Sequence, residues 1–357
     1  MRILEVAEAS GSGTFEMLRT ISGGVAAAGH DVLVALGERP ETPPEVAATM
    51  PHGVAVELLP WASRGPREQV RAARALRGLI RAWRPDVVHL HSAFAGVVGA
   101  IATPPGIPVV YTPHGSPVIR RSDPAVKRAA YRVLEGGVAR RARVLGAVSE
   151  AEAEVARTLL HAPRVRIVPN GIRDLDADRI PAPVVRPARP RVVVMGRVDT
   201  ARRPEESAQV LASLRDVADP IWIGGAPRDE AAPLLAAGIP VTGWLPREAA
   251  LEQLASATVC LHWSAWDGLS LALLEALARD VVVVASDIPA NRDVVGGRQV
   301  AADVASVTAL VRRVVVDDAF RASLVEDQQQ IRGRFSAEAC VAGWLSVYSD
   351  VAATAQR

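Results

Sequence analysis

Short apolar runs that are typical of β-strands alternate with amphipathic helical stretches along almost the whole chain. Parallel strands buried on both faces are rich in Val, Ile and Leu, and each crossover between them needs a helix. The pattern therefore predicts an α/β protein with parallel, doubly wound sheets. In the first half, the predicted strands are Arg2–Val6, Asp31–Leu36, Val54–Leu59, Asp86–Leu90, Pro108–Tyr111, Arg143–Val148 and Val165–Val168.

A proline-rich stretch separates this series from a second one. Residues 173–190 end in PAPVVRPARP and show little periodicity. We expect a linker there, because proline lacks a backbone donor and blocks regular structure. The predicted strands after it are Arg191–Met195, Pro220–Ile223, Pro240–Thr242, Thr258–Leu261 and Val281–Ala285.

The two series predict two doubly wound domains that face each other across a cleft. A chain of 357 residues also suits two cores better than one. Two further helical stretches, at 306–334 and 336–355, are expected to close the chain. Because ligands of open parallel sheets bind beyond the carboxyl ends of the strands, functional residues should follow the strands directly.

The composition excludes several classes of protein. Apolar residues make up 49% and charged residues 22%, which is typical of a globular protein. Cys260 and Cys340 are too few for a disulfide framework or a cysteine-based zinc site, and they fit a reducing compartment. The opening residues lack the apolar core of a signal peptide, and the longest apolar runs are strand-length, so we expect neither a secretory signal nor a transmembrane helix.

A glycine-containing loop, ASGSGT at residues 9–14, follows the first predicted strand. Gly11 and Gly13 allow the backbone to approach a ligand closely, and the helix N-terminus that follows favours anions. The dinucleotide-binding pattern GxGxxG is not met, because Glu16 occupies the third glycine position. A hydride-transfer enzyme is therefore disfavoured, and a plain tight turn is the alternative.

Three histidines lie on or just after two predicted strands. His114, within YTPHG, follows a strand and is placed to donate a hydrogen bond to a substrate hydroxyl or carbonyl; a histidine satisfied by local backbone is the alternative. His89 and His91 alternate along one strand as two metal ligands would. Because no third ligand is near in sequence, packing in the core and at the strand end is the better interpretation.

The acidic sequence DLDAD at residues 174–178 resembles the metal-binding DxD motif of some sugar-transferring enzymes. It lies at the start of the proline-rich linker, with no strand before it. We therefore interpret it as a solvated turn or as carboxylates at a helix N-terminus.

Arginines follow the first strand of the second series. Arg197 comes directly after the strand, and Arg202 and Arg203 precede the next helix. Guanidinium groups beside a helix N-terminus form an anion site, and arginine can bind phosphate through two parallel hydrogen bonds. Ordinary surface arginines are the alternative.

The segment from Trp263 to Ala278 combines a polar turn with an apolar helix. The helix after Gly268 is apolar nearly all round and is expected to be buried, with Glu275 as its one charge. A buried carboxylate requires a partner, and the vicinal hydroxyls of a sugar would serve. Pairing of Glu275 with an internal arginine is the alternative. The free amides near Leu271 suit a diphosphate.

Together these motifs resemble the GT-B glycosyltransferases of family 4, a large group of retaining enzymes that use nucleotide sugars. The resemblance covers nearly the whole length, and the motifs follow in the order of the family. They are the glycine loop at 11–14, PDVVHLHS at 85–92, YTPHG at 111–115, AVSEAEAEV at 147–155, VPNGI at 168–172, MGRVDTARRP at 195–204, the segment from Asp267 to Glu275, and SDIPANRDVV at 286–295.

The resemblance implies the GT-B architecture of two Rossmann-like domains. It implies an acceptor-binding domain at 1–172, the linker at 173–190, and a nucleotide-sugar-binding domain at 191–335. The final helix, at 336–357, is expected to pack back on the first domain.

The resemblance also implies roles for individual residues around the donor. Gly11 and Gly13 would lie over the donor diphosphate, and His114 would contact the transferred sugar near the reacting carbon. Arg197 would hold the diphosphate. Arg202 has the spacing of the usual second cation, a lysine in the family, and Arg203 is the substitute if Arg202 does not fill that role.

The acidic motif of the family, E-x7-E, is only partly matched. Glu275 matches its second acid, which would hold the ribose of the donor. Asp267 replaces the first acid and is one methylene shorter, so its carboxylate extends less far towards the sugar. The backbone amides around Leu271 would complete the phosphate site.

Electrostatics explains how such a site would work without a metal. A nucleoside diphosphate leaves as an anion, and Arg197, Arg202 and helix N-termini supply positive potential. We therefore expect no metal and no cofactor, the nucleotide sugar being a substrate. The resemblance implies retention of anomeric configuration, with the leaving phosphate helping to deprotonate the acceptor.

A row of arginines lies on one arc of a predicted helix in the first half. We expect this basic face to dock on anionic lipid and to meet a lipid-linked acceptor, the alternative being an ordinary solvated face. The row comprises Arg67, Arg71, Arg74, Arg77, Arg81 and Arg84.

The sequence thus predicts a hexosyl- or N-acetylhexosaminyltransferase, with a UDP-sugar favoured, acting on a saccharide or lipid-linked acceptor. Synthesis of a cell-surface polysaccharide or glycoconjugate is the expected setting, in the cytoplasm or on the inner face of the membrane. The alternatives are a non-catalytic GT-B relative that binds a sugar nucleotide or a partner, and a GT-B epimerase or phosphorylase. A nucleic-acid binder is disfavoured, because no aromatic residues are interleaved with the arginines.

Overall fold

The computed structural model describes residues 1–10, 13–39, 42, 45–176, 184, 187–226 and 228–355. The chain divides into two compact units. Unit 1 comprises Met1–Arg173 together with Ala337–Arg357, and unit 2 comprises Asp174–Ser336. Gly11 of the predicted glycine loop, Asp178 and half of the proline-rich stretch at 173–190 lie outside the described residues.

Unit 1 contains a seven-stranded parallel sheet in the order β3-β2-β1-β4-β5-β6-β7. Every strand predicted for this half is confirmed, with ends that differ by at most one residue. The register places Glu5 of β1 opposite His89 of β4, and His91 of β4 opposite Thr112 of β5. The strands are β1 (Arg2–Ala7), β2 (Asp31–Gly37), β3 (Val54–Leu59), β4 (Val87–His91), β5 (Val109–Thr112), β6 (Val144–Ala147) and β7 (Val165–Ile167).

Helices connect these strands and cover the sheet. The helix that contains the arginine row is strongly amphipathic and buries Ala72, Leu76 and Ile80. Another begins after Ser149, whose hydroxyl accepts a hydrogen bond from the backbone N–H of Glu152. The helices are α1 (Gly13–Ala27), α2 (Pro66–Trp83), α3 (Ala93–Ala102), α4 (Ala125–Arg141) and α5 (Glu150–Thr158).

Unit 2 contains a five-stranded parallel sheet in the order β12-β11-β10-β8-β9. The strands are β8 (Arg191–Met195), β9 (Asp219–Ile223), β10 (Val259–His262), β11 (Val282–Ser286) and β12 (Val300–Ala301). The helices are α6 (Pro204–Ala212), α7 (Ala232–Ala236), α8 (Arg247–Ala255), α9 (Leu271–Ala278), α10 (Pro289–Val295), α11 (Val304–Val316) and α12 (Asp318–Ile331).

Two predictions for unit 2 were wrong in detail. The expected strand at 240–242 is an isolated bridge between Val241 and Trp222, because Gly243 turns the chain with a φ of 72°. The expected single helix at 306–334 is two helices. Asp317 adopts an extended backbone between them, and its carboxylate accepts from the N–H of Phe320 to cap α12.

The last helix, α13 (Ala337–Ala355), belongs to unit 1 and packs against α1. Two glycines allow this close approach. A Cβ atom at Gly24 of α1 would lie 2.3 Å from Val341, and one at Gly146 of β6 would lie 2.2 Å from Trp344. The packing brings Tyr348, which is fully buried, to the central strands of the sheet.

Candidate functional site

A buried hydrogen-bond network joins the central strands of unit 1 to α13. Glu5 accepts through Oε2 from His91 Nε2, at 2.5 Å, and through Oε1 from the hydroxyl of Tyr348, at 2.8 Å. Nδ1 of His89 lies 2.7 Å from the Tyr348 hydroxyl, and its Nε2 lies 2.9 Å from Oγ1 of Thr112. The side chains of Glu5, His89 and His91 are fully buried.

The network reaches the predicted site residue His114. Two residues after β5, His114 adopts a left-handed backbone with a φ of 54°, which turns its imidazole towards β4. Its Nε2 lies 2.9 Å from Nδ1 of His91, and the two rings stack with centroids 5.2 Å apart. Glu5, His91 and His114 therefore form one continuous chain, whose last member is partly exposed.

Electrostatics sets the charge of this chain. Burial favours a neutral Glu5, but the neighbouring His89 and His91 outweigh it and hold the pKa of the carboxyl well below its usual range. Burial, together with His91, lowers the pKa of His89 to about 4. The same two causes lower the pKa of His114 well below its usual value. At neutral pH, Glu5 is ionised, and His89 and His114 are neutral.

A second buried carboxylate holds the turn after His114. Oε1 of Glu152 accepts from the backbone N–H of Gly115, at 2.7 Å, and Oε2 accepts from that of Val148, at 2.8 Å. Burial raises the pKa of Glu152 to about 7, although the backbone donors favour the ionised form. Glu152 thus links the start of α5 to the turn that carries the histidine.

Glu5, His89 and His91 also have the spacing of a metal site, since their ligand atoms lie within 4.8 Å of one another. A zinc site of this kind would need those atoms to converge on one ion. Here they bond instead to one another and to Thr112 and Tyr348. The donor set is therefore that of a closed hydrogen-bond network.

In unit 2, the predicted residues Arg202 and Asp267 form an ion pair. Nη1 of Arg202 lies 2.7 Å from Oδ2 of Asp267 and 3.1 Å from Nε2 of His262, and it donates to the hydroxyl of Ser264. Nη2 lies 3.5 Å from the hydroxyl of Ser270, the residue that precedes α9. Arg202 therefore ties the loop after β8 to the segment after β10.

The ion pair determines the charges at this point. Burial opposes ionisation of Asp267, but Arg202 and His262 outweigh it and hold the pKa of this carboxyl well below its usual range. Burial, together with the charge of Arg202, lowers the pKa of His262 to about 4. A neutral His262 donates from Nε2 to Asp267, at 3.1 Å. The carboxylate of Asp267 is thus held by three donors, the third being the N–H of Gly268.

The other two predicted cations differ in their environment. Arg197, two residues after β8, is exposed and forms no ion pair with any described residue. Arg203 has a left-handed backbone with a φ of 46°, pairs with Glu206 at 3.1 Å, and lies over the ring of Trp263. Arg203 is therefore engaged locally, whereas Arg197 projects into solvent.

Glu275 is buried on α9, as predicted, and its partner is the internal arginine that was the alternative to a sugar. Its Oε1 lies 2.6 Å from Nη2 of Arg247, the first residue of α8. Burial raises the pKa of Glu275, partly offset by Arg247. The helix begins at Leu271, so the free amides of its first turn lie where the sequence places them.

The acidic sequence at 174–178 is engaged within unit 2. Asp174 lies in a turn of 3-10 helix and pairs with Arg279 at 2.6 Å, Asp176 is buried, and Asp178 lies outside the described residues. Arg279 follows α9 and also donates to the backbone carbonyl of Glu275. These contacts favour the interpretation of this sequence as a turn.

Two family domains match the sequence. A glycosyl transferase 4-like domain matches residues 12–171, and a glycosyl transferases group 1 domain matches residues 179–316. The two parallel α/β sheets described above are those of the GT-B fold. The chain is a glycosyltransferase of the GT-B type. No curated protein gives a significant sequence match.

Solved structures show the fold of the glycosyltransferase independently. A sucrose-phosphate synthase from Thermosynechococcus elongatus is 17% identical with a TM-score of 0.84, covering 99% of this chain and 100% of its own. HepE of Anabaena, solved with UDP and glucose, is 17% identical with a TM-score of 0.77; the match covers 98% of this chain and 100% of HepE. WaaG, a glycosyltransferase involved in lipopolysaccharide biosynthesis, is 15% identical with a TM-score of 0.75; the match covers 98% of this chain and 99% of WaaG.

The predicted site residues of the glycosyltransferase are distributed over both units. His114 and Gly13, the exposed first residue of α1, belong to unit 1. Gly11 lies outside the described residues, and Arg197, Arg202, Asp267, Leu271 and Glu275 belong to unit 2, where Arg202 contacts Asp267 directly. Sequence reasoning missed Glu5 and Glu152, although a single acid within an apolar strand is a signal that could have indicated Glu5.

The predicted basic face of unit 1 is present on α2, with one correction. Arg67, Arg71, Arg74, Arg77 and Arg81 are exposed on the helix. Arg84 was predicted on the same arc, but α2 ends at Trp83 and Arg84 adopts a left-handed backbone with a φ of 51°. The physical reason is the following Pro85, which disfavours helical backbone in the residue before it.

An apolar cavity of about 390 Å³ adjoins this face, between α2, α3 and α4. Arg74 and Arg77 also line it. Several apolar side chains beside it are exposed, Ile101 by 67% and Leu134 by 51%. Among the described residues, no helix is long and apolar enough to cross a membrane. The cavity is lined by Val70, Ala73, Phe94, Val97, Ile101 and Leu134, among others.

Proposed function

We propose that this glycosyltransferase is a retaining enzyme of family 4 that transfers a hexosyl or N-acetylhexosaminyl group from a UDP-sugar. The acceptor is a saccharide or a lipid-linked saccharide, and the reaction needs no metal ion. The observation that carries the proposal is the concentration of positive potential after β8 and β10 of unit 2, where Arg197, Arg202 and the first turn of α9 follow the strands.

The geometry of Arg202 and Arg197 suits a diphosphate. Arg202 is anchored through Nη1 to Asp267, so its position is fixed before a ligand arrives. Arg197 is exposed and forms no ion pair with a described residue, which leaves N–H donors of its guanidinium for a ligand. Anionic oxygens would accept charge-assisted hydrogen bonds from them, which are about twice as strong as neutral ones. The charge that develops on the leaving diphosphate is thereby stabilised.

The choice of UDP rests on the neighbours. Anabaena HepE was solved with UDP-glucose, and an E. coli protein of the trehalose-6-phosphate group was solved with UDP-2-fluoro glucose, at 16% and 14% identity. Glu275 is proposed to hold the ribose, and Asp267 and His114 to contact the transferred sugar. In that role Glu275 would share its carboxylate between Arg247 and the ribose hydroxyls.

The acceptor side is proposed to be unit 1, at the inner face of a membrane. The exposed arginines of α2 would attract anionic lipid head groups, each contributing about 1 kcal/mol near the surface. The cavity between α2, α3 and α4 would receive a hydrocarbon chain of the lipid. A lipid-linked acceptor in the synthesis of a surface polysaccharide or glycoconjugate combines an anionic head group with a hydrocarbon chain.

A nucleotide-binding experiment tests the donor site. Thermal unfolding is measured with UDP, GDP, ADP and CMP for wild type and Arg197→Ala, once with EDTA and once with Mg²⁺. A ligand at 100 times its Kd adds about 2.7 kcal/mol of stability to the folded state. We expect UDP to raise Tm by several degrees, and Arg197→Ala to weaken UDP binding about 10-fold to 100-fold.

Arg313→Ala is the matched control, because it removes another exposed arginine of unit 2 that lies on α11. It should leave the UDP shift unchanged. No shift with any nucleotide would exclude the donor site and favour a non-catalytic relative. A shift that requires a divalent cation would contradict metal independence. Release of UDP from a UDP-sugar only when an acceptor is present would separate transfer from epimerisation.

A further inference from the structure

The hydrogen-bond directions in the network around Glu5 follow from its donors and acceptors. An ionised carboxylate only accepts, so His91 donates from Nε2 and the Tyr348 hydroxyl donates its one proton. The Tyr348 oxygen must then accept from Nδ1 of His89, which leaves the Nε2 of a neutral His89 to accept from Thr112. Each member has one arrangement that satisfies all of its partners.

The same reasoning extends to His114. His91 donates from Nε2 to Glu5; the Nε2–H tautomer of His91 presents a lone pair on Nδ1, and the atom that faces this lone pair at 2.9 Å is Nε2 of His114. His114 must therefore carry its own proton on Nε2. Nδ1 of His114 then has no proton and lies on the side of the ring away from His91. Of the two imidazoles in the series Glu5–His91–His114, that of His114 is the partly exposed one.

We propose that Glu5 and His91 are positioning residues that hold His114 in its Nε2–H tautomer, so that Nδ1 accepts a hydrogen bond from a hydroxyl group of the sugar substrate. The role of His114 towards the sugar rests on the proposed function; its tautomer does not. Carboxylate, imidazole and imidazole are linked in series, as an orienting carboxylate fixes the tautomer of a histidine in other enzymes.

The backbone around His114 supports a role in positioning. A left-handed φ at a residue other than glycine costs about 1 kcal/mol or more and persists where the surroundings enforce it. Here the next residue, Gly115, is held through its N–H by Glu152, and the imidazole is held by His91. The ring is thus fixed from both sides.

Nitrogen-15 NMR of histidine-labelled protein without any substrate tests the tautomer. Long-range couplings distinguish protonated from unprotonated ring nitrogens, and the His114 signals are identified by their loss in His114→Gln. We expect His91 and His114 to carry the proton on Nε2 and His89 to carry it on Nδ1. A proton on Nδ1 of His114, or a doubly protonated His91, would overturn the proposal.

Glu5→Gln is the informative variant. Three donors surround the Glu5 carboxylate, from His91, Tyr348 and His89, and the amide of glutamine adds N–H donors where only acceptors are needed. We expect the Nδ1 signal of His114 to move from the unprotonated towards the protonated position. Tyr348→Phe is the matched control, since it removes a bond to the same carboxylate but leaves the chain from Glu5 to His114 intact. Its His114 signals should not move. A folded Glu5→Gln protein with an unchanged His114 would contradict the proposal, and the wild-type tautomers remain decisive if this variant does not fold.

A substrate experiment then separates the two levels. If a UDP-sugar is turned over, Glu5→Gln should lower kcat at least 10-fold with little change in the KM of the nucleotide sugar. If wild type shows the expected tautomers but does not turn over a UDP-sugar, the proposed function is rejected and the tautomer assignment stands. Normal kcat in Glu5→Gln would reject the positioning role alone.

Discussion

Arg202 and Asp267 lie 65 residues apart in sequence and form an ion pair of 2.7 Å in unit 2. Each side chain is only 17% exposed, and His262 donates to the same carboxylate oxygen. The pair thus joins the loops that follow two neighbouring strands, β8 and β10, and Nη2 of Arg202 lies near the start of α9. An internal carboxylate therefore fixes the position of Arg202, the arginine that we propose binds the donor diphosphate.

Removal of Arg202 should therefore destabilise the protein as well as weaken nucleotide binding. Arg202→Ala leaves the carboxylate of Asp267 largely buried beside a neutral histidine. Breaking a buried pair costs about 3–5 kcal/mol, and the partial exposure here lowers the expectation to about 2–4 kcal/mol. Urea unfolding, followed by the fluorescence of the buried Trp222 and Trp263, measures the change.

Arg203→Ala provides the comparison for this variant. Arg203 pairs with Glu206 near the surface, where such pairs contribute about 1 kcal/mol or less. Equal losses for the two variants would mean that the Arg202–Asp267 pair has no special weight. Restored stability in the double variant Arg202→Ala/Asp267→Asn would identify the unpaired carboxylate as the cause of the loss.

The role of Glu275 can be separated from its ion pair with Arg247. If Glu275 holds the ribose, Glu275→Gln should raise the Kd of UDP about 10-fold, since a hydrogen bond to a charged group is worth about 1.5–3 kcal/mol. The Kd of 2′,3′-dideoxy-UDP, which lacks both hydroxyls, should change less than about twofold. Isothermal titration calorimetry measures both.

Asp174→Asn is the control, because it alters an ion pair of Arg279, which also contacts the backbone of Glu275, without touching the Glu275 carboxylate. It should affect both nucleotides equally and weakly. An equal loss of affinity for UDP and dideoxy-UDP in Glu275→Gln would mean that Glu275 only supports the position of α8 against α9.

The fold was largely predictable from sequence, whereas the network around His114 was not. Alternating apolar runs identify buried parallel strands, so all strands of unit 1 were found within one residue. The positions of His114 and Arg197, each two residues after a strand, also followed from the sequence, and their roles stay predictions. Glu5 and His91 are 86 positions apart in sequence, and their hydrogen bond depends on the register of β1 against β4. No local pattern contains that information.

The pairing of Glu275 illustrates the same limit from the other side. Burial of α9 followed from its apolar sequence, and the need for a partner followed from the charge. The identity of the partner, Arg247, depends on how α8 packs beside α9. Sequence alone left a sugar and an arginine as alternatives, and these are not exclusive, because a carboxylate has two oxygens.

Glu152 should make the stability of the protein depend on pH. Its pKa rises from 4.5 to about 7 on folding, so the folded state binds the proton more tightly than the unfolded state. Its contribution is fully present below pH 4.5 and is lost as pH rises to about 7, with a slope of at most about 1.4 kcal/mol per pH unit. Glu152→Gln removes this titration.

The difference between wild type and Glu152→Gln isolates this contribution. Buried His89 has a lowered pKa and contributes stability in the opposite direction, so wild type alone is not informative. Unfolding free energies at several pH values from 4.5 to 8 should show the advantage of wild type shrinking as pH rises. An advantage that is constant or grows with pH would mean that Glu152 is ionised throughout.

The basic face of α2 predicts selective binding to anionic membranes. Arg74 and Arg77 line the apolar cavity and are exposed, and no described residue forms an ion pair with them. Arg74→Glu/Arg77→Glu should lower binding to liposomes that contain anionic lipid at least 10-fold, because each basic residue contributes about 1 kcal/mol at such a surface. Co-sedimentation at low and high salt measures the effect.

A matched double reversal, Arg157→Glu/Arg164→Glu, changes the net charge equally. Both residues are exposed in unit 1, at and after the end of α5, which packs on β6 and β7 rather than beside α2. This variant should retain most of the binding, whereas Ile101→Asp, which places a charge beside the cavity, should lose it without removing an arginine. If both double variants lose liposome binding equally, the attraction depends on the net charge of the protein and not on the arginines of α2. Wild-type binding that does not distinguish anionic from neutral lipid would reject the membrane face, because cations on α2 can favour a surface only through its charge.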